Sequence, residues 1–157
     1  SFKTNLIGSL FAIYRDGMNS VDLPYRYICF FKIYEAWYTR HEKFFVVKNR
    51  PDQKITKNLL ATAYRKTFHD AFIDKQFDSK EVYKHLNHIR NCLVHPIIDR
   101  DIMDYCCLDS IENIERLEAM SNLMERVATK ILDIELSLMA KIEPDIEKLL
   151  CIYKKVQ

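Results

Sequence analysis

Leu23-Pro24-Tyr25-Arg26-Tyr27-Ile28-Cys29-Phe30-Phe31-Lys32-Ile33-Tyr34-Glu35-Ala36-Trp37-Tyr38 is the stretch from which the fold is read. It is apolar on nearly every side until Thr39, and a helix of that kind belongs in the middle of a bundle or in a subunit interface. The aromatic stripe runs on to Phe44 and Phe45, so the spacing predicts a helix from about Leu23 to Val47. Aromatic side chains at helical spacing bury large areas and are read here as core rather than as a base-stacking surface. Asp22 is placed to cap the helix, and Pro24 lies in its first turn, where a missing N–H costs nothing. Lys48-Asn49-Arg50-Pro51-Asp52 ends it.

Outward from that centre the pattern stays helical. Leu6, Leu10, Ile13 and Tyr14 predict a first helix over residues 3–15, followed by a turn at Asp16-Gly17-Met18-Asn19. A third helix is expected from about Thr56, with Leu59, Leu60, Ala63, Tyr64, Phe68 and Phe72 on its apolar face. Arg65 and Lys66 lie on or near the opposite face. Asp78, with Glu81 three residues on, reads as a capping box opening a fourth helix whose buried face is Val82, Leu86, Ile89 and Leu93. Residues 97–108 are expected to form an acid-rich loop, and Asp109 with Glu112 reads as a capping box opening the next helix. There Ile114, Leu117, Met120, Met124, Val127, Ile131, Ile134 and Leu138 continue one stripe for about thirty residues. A short last helix begins at Glu143-Pro144-Asp145. Gly occurs twice and Pro four times, too few turn-formers for an all-β fold. The expectation is an all-α, five- to six-helix bundle forming one domain over residues 1–157. Because the chain opens on Ser1, that domain is read as a trimmed product or the C-terminal domain of a longer protein.

Chemistry concentrates at His88-Ile89-Arg90-Asn91-Cys92-Leu93-Val94-His95-Pro96. An arginine grips phosphate oxygens with a planar fork of donors, and a histidine exchanges a proton near neutrality. Five residues of α-helix turn through about 500°, which leaves Arg90 and His95 roughly 140° apart on a continuous helix. A residue before proline is pushed out of the helical region, so His95 is expected at the helix end, its ring free to swing back. Residues 38–90 carry twelve Lys/Arg against six Asp/Glu, and residues 91–157 carry eight against thirteen. A basic segment running into the motif suits an RNA-binding site. Lys84, His88, Arg65 and Lys66 are its candidate strand-holding residues.

Arg90-Asn91-x-x-x-His95 resembles the R-x(4–6)-H motif of the HEPN superfamily, over roughly residues 5–140. The aromatic second helix and the Arg-Asn…His-Pro turn look most like its abortive-infection and methylamine-utilisation relatives. The resemblance implies a metal-independent endoribonuclease acting as a toxin or in antiviral defence, with no cofactor and no metal. Arg90 would hold the scissile phosphate, His95 would move the proton of the 2′-hydroxyl or the leaving 5′-oxygen, and Asn91 would orient them. Products would carry 2′,3′-cyclic phosphate and 5′-hydroxyl ends. One histidine per chain predicts a two-fold homodimer that joins two motifs in one cleft. RNA is the expected partner, beside a cognate antitoxin or a sensor domain.

Other readings of the same residues are less favoured. His85, His88 and Cys92 have part of a zinc spacing but no fourth ligand. Cys92 with His95 has no third group to orient a nucleophile. The alternative that keeps the fold is a non-catalytic HEPN-like module that dimerises or binds a partner protein or a nucleotide. Five cysteines without a C-x-x-C pair, no apolar run of membrane length and no signal-peptide pattern predict a cytoplasmic protein.

Overall fold

The computed structural model describes residues 2–39, 75–95 and 111–140, with Cys151 and Lys155. These residues form four helices, α1 (Phe2–Asn19), α2 (Leu23–Thr39), α3 (Lys80–Val94) and α4 (Ile111–Ala140), with Cys151 and Lys155 helical as well, and no strand lies among them. The architecture is an all-α bundle, as the composition and periodicity predict. The expected helix from about Thr56, the continuation of α2 to Val47, the loop at 97–108, the Asp109 cap and the start of the last helix lie outside the described residues.

Helix α2 is the centre, packed against α1, α3 and α4. Tyr27, Cys29, Phe30, Phe31, Ile33, Tyr34 and Trp37 are buried along it, and the aromatic stripe is core, as read. Asp22 caps it as expected: its Oδ1 accepts from the Tyr25 N–H at 2.7 Å, and its carbonyl accepts from Arg26 at 2.9 Å.

The turn expected at residues 16–19 is a correction. Helix α1 continues through Gly17 to Asn19, and the chain reverses over Ser20–Asp22. Gly17 is buried where α1 meets α2. A Cβ there would stand 2.9 Å from Phe30 Cε1 and 3.0 Å from Cys29 Cβ. The glycine serves close helix approach rather than a turn, a use that its place near the end of the helix conceals in the sequence.

Helix α4, thirty residues and so about 45 Å long, spans the bundle. Its buried face drifts from the predicted single stripe. Leu117, Met120, Met124, Val127 and Ile131 are buried as expected, but beyond them Leu132, Leu136 and Met139 take over, with Ile134 and Leu138 half-buried. Ile114, at the other end, is exposed. A 3.6-residue turn drifts against a fixed partner over such a length, so the face toward the core rotates around the helix. Two polar contacts pin α4 to its neighbours: Arg26 Nη2 to Glu125 Oε2 at 2.9 Å, and the Tyr14 hydroxyl with Thr129 Oγ1 at 2.8 Å. No helix among the described residues is long and apolar enough to cross a membrane.

Candidate functional site

Helix α3 carries the Arg-Asn…His sequence, and hydrogen bonds from α2 set its position. Its N-cap is Ser79, not Asp78: the Ser79 side chain accepts from the Val82 N–H at 3.3 Å. The extended backbone of Ser79 and its short hydroxyl suit the cap, which moves the helix start one residue along. Val82, Leu86, Ile89 and Cys92 form the buried face, while Leu93 is only half-buried. Two phenols of α2 then fix the register. Tyr27 donates to the Leu86 carbonyl and Tyr34 to the Phe77 carbonyl, both at 2.7 Å and both buried. Leu86 is one turn before Arg90, so the first of these bonds places the motif on α2. Burial pushes the Tyr34 phenol well above its ordinary value, with Tyr38, Tyr83 and Asp78 adding to it. The hydroxyl stays protonated and stays a donor.

Arg90 faces α2. Its Nη2 donates to Asn87 Oδ1 at 3.0 Å and stands 3.5 Å from Glu35 Oε1. The guanidinium carbon lies 5.8 Å from the centre of the Phe31 ring, within cation–π range. Glu35 Oε1 also accepts from the Tyr83 hydroxyl at 3.4 Å. Tyr83 in turn lies parallel to Tyr38, with ring centres 4.0 Å apart. The Tyr83 phenol is raised by burial and by the Glu35 carboxylate, partly offset by Arg90. Tyr83, Asn87 and Arg90, at i, i+4 and i+7, therefore make one polar row on α3 that meets Glu35 of α2. Sequence reasoning missed Glu35, Asn87 and Tyr83. The signal available for Glu35 was a lone carboxylate inside an otherwise aromatic helix, a residue type rarely placed there without a partner.

The other candidates point elsewhere. At 100° per residue, Lys84, His88, Asn91 and His95 fall together on another face of α3, roughly 130° from Arg90 on average. Lys84, Asn91 and His95 are exposed. His88 is half-buried, with Nε2 3.8 Å from the buried Cys92 Sγ. His95 ends the helix as expected, at φ −128° and ψ 68°, its N–H still donating to the Asn91 carbonyl at 2.8 Å. Within the chain no hydrogen bond or ion pair joins Arg90 to His95 among the described residues. Arg65 and Lys66 lie outside those residues. No three His, Cys, Asp or Glu side chains among the described residues gather as a metal site requires.

The arrangement can do two things. It holds an arginine, about a third exposed, at a fixed place beside a carboxylate. Separately, it presents a helix-end histidine and an amide to solvent. A family model described as "Methylamine utilization protein MauJ" matches residues 10–133, a span that includes all of α2 and α3. Neither a curated protein nor a solved structure matches the chain.

Proposed function

The chain belongs to the MauJ family of methylamine utilization proteins, and from that premise we propose that it is a HEPN-type, metal-independent endoribonuclease of a toxin or antiviral defence system. Arg90 binds the scissile phosphate and stabilises the charge that it gains in the transition state. His95 takes the 2′-hydroxyl proton or protonates the departing 5′-oxygen, and Asn91 orients the phosphate or the ring. RNA supplies its own nucleophile, so positioning and charge stabilisation are the protein's share of the work. The products carry 2′,3′-cyclic phosphate and 5′-hydroxyl ends.

The observation that carries this reading is the state of Arg90. Its guanidinium is anchored through a neutral amide, Asn87, at 3.0 Å, while its carboxylate neighbour stands off at 3.5 Å. A close bidentate pair would fill the guanidinium fork, whereas a single contact at 3.5 Å leaves donors for an oxyanion. The divergence of Arg90 and His95 on one α3 is met by a two-fold homodimer, in which Arg90 of one copy and His95 of the other share a cleft. Lys84 and His88, on the same face as Asn91 and His95, then hold the strand through its phosphates. The test is incubation of the purified protein with end-labelled RNA in EDTA, with end-group analysis. Cyclic-phosphate ends formed in EDTA are the expected result, and intact RNA at micromolar enzyme removes the reading.

A second reading has its own observation. Through Glu35 and Phe31, Arg90 also ties α3 to α2, which a non-catalytic module that binds a partner protein or a nucleotide would need as well. His95→Ala separates the two, because the exposed His95 side chain joins no helices among the described residues.

A further inference from the structure

Arg90 has an anion beside it already. One oxygen of Glu35 is shared between Arg90 Nη2 at 3.5 Å and the Tyr83 hydroxyl at 3.4 Å. Charge-assisted hydrogen bonds normally close to about 2.7–2.9 Å. Neither contact is closed, so the carboxylate rests between a cation and a neutral donor without being committed to either. The side chains of Arg90 and Glu35 are 29% and 34% exposed, so a ligand from solvent reaches both. By contrast, Asn87 holds the same Nη2 at 3.0 Å from within α3. The arginine therefore keeps its place when the carboxylate leaves.

We infer that Glu35 is a built-in competitor for the anion seat of Arg90, and that Tyr83 receives its carboxylate when a phosphate takes that seat. This rests on the reading of Arg90 as the phosphate-holding group. The exchange is non-covalent: phosphate pairs with the guanidinium, and the carboxylate moves onto the phenol, which keeps its proton. The phenol is suited to this because burial and the adjacent carboxylate raise it above its ordinary value. Its orientation is held by the parallel stack on Tyr38 and by Tyr34 and Phe31 against the ring. Glu35 thus lowers the resting affinity of Arg90 for any phosphate, and Tyr83 limits how much. The result is selection for a ligand that brings further contacts, such as a nucleic-acid strand, over free phosphate.

The signs of the predicted effects are opposite, which makes the proposal testable. Titration calorimetry on the full chain, at low salt, uses two probes: inorganic phosphate and an all-2′-deoxy oligonucleotide that cannot be cleaved by the 2′-hydroxyl. Glu35→Gln should bind both roughly tenfold more tightly than wild type, since a like charge within about 4 Å of the ligand is removed. Tyr83→Phe should bind both a few-fold more weakly, because the carboxylate loses its alternative partner. In the double variant the Tyr83→Phe effect should vanish, since there is no carboxylate left to receive. Arg90→Ala should abolish phosphate binding. Glu35→Asp, which withdraws the charge by one methylene, should fall between wild type and Glu35→Gln and serves if the glutamine form does not fold. Weaker binding by both Glu35→Gln and Glu35→Asp, in folded protein, overturns the proposal and makes Glu35 a strut for Arg90. A Tyr83→Phe effect that persists without the carboxylate removes Tyr83 from it, and no phosphate binding by any form removes the seat itself. If RNA stays intact while the phosphate pattern holds, the nuclease reading fails and the competition stands.

Discussion

The two sides of α2 are joined to the rest of the molecule in different ways. Toward α1 and α4 the contact is closed. Gly17 lets α1 approach until Phe30 fills the space, Tyr14 lies against that ring at 5.7 Å, and Arg26 makes a 2.9 Å pair with Glu125. Toward α3 the row Tyr27, Phe31, Tyr34 and Tyr38 meets its neighbour through phenol–carbonyl bonds, ring stacking and one loose ion pair. Apolar packing is non-directional and fails when volume is lost, whereas hydrogen bonds fix a register and leave polar groups at the edge for other work. The first side holds the bundle together; the second aims Arg90.

That contrast can be broken most sharply on the closed side. Phe30→Ala should cost about 3–5 kcal/mol of unfolding free energy, the scale for emptying a buried aromatic site, measured by urea denaturation. If the loss is under 1 kcal/mol, the α1–α2 contact is not the closed one. On the other side the large effects should be functional. Arg90→Ala and His95→Ala should each slow RNA cleavage by roughly a hundredfold or more. His95→Ala should keep the wild-type unfolding midpoint, since the side chain is exposed. A folded His95→Ala protein that cleaves at the wild-type rate puts the interaction-module reading in place of the nuclease.

Smaller changes sharpen the comparison. Gly17→Ala gains helix propensity but puts a Cβ 3.0 Å from Cys29 Cβ, which cannot swing away; a net loss of about 1–2 kcal/mol is expected. Tyr34→Phe leaves the buried Phe77 carbonyl without its donor and should cost about 1–2 kcal/mol. Tyr34, Tyr14 and Tyr83 are all raised in the native state, chiefly by burial. Their contribution to stability is therefore complete below about pH 10 and is lost as the pH rises beyond it, because only the unfolded chain releases those protons readily. Thermal melts between pH 8 and 11.5 should fall at the alkaline end, and less steeply for Tyr34→Phe; parallel curves would argue against the buried phenol. The smallest test lies at the start of α3. Ser79→Ala should cost about 1 kcal/mol and Asp78→Ala close to nothing, and equal losses would return the cap to the capping-box reading.

Much of this was legible in the residues. The aromatic density of α2 marked it as the central helix, Asp22 marked its start, and the position of His95 before Pro96 marked the end of α3. The resemblance to methylamine-utilisation relatives agrees with the family match over residues 10–133. The misses share a cause. Gly17, the Asp78 cap and the later stripe of α4 were read from spacing alone; Gly17 is decided by the Phe30 ring, the stripe by the drift of a long helix across a fixed surface, and the cap by the extended backbone that Ser79 adopts.

By itself the sequence determined the helical class and the centre of the bundle, and it marked Arg90 and His95 as the candidates for phosphate chemistry. Composition and periodicity are properties of the chain alone, and they survive whatever the helices do next. Only the tertiary structure decided that Glu35, fifty-five positions before Arg90 in the numbering, is the carboxylate beside it. It also decided that Tyr83 and Asn87 complete that row, while Asn91 and His95 look away from it. Such pairings depend on the rotation of α3 about its own axis against α2. That rotation is set by the Tyr27 and Tyr34 hydroxyls on the Leu86 and Phe77 carbonyls, long-range bonds between residues whose spacing along the chain carries no trace of their meeting.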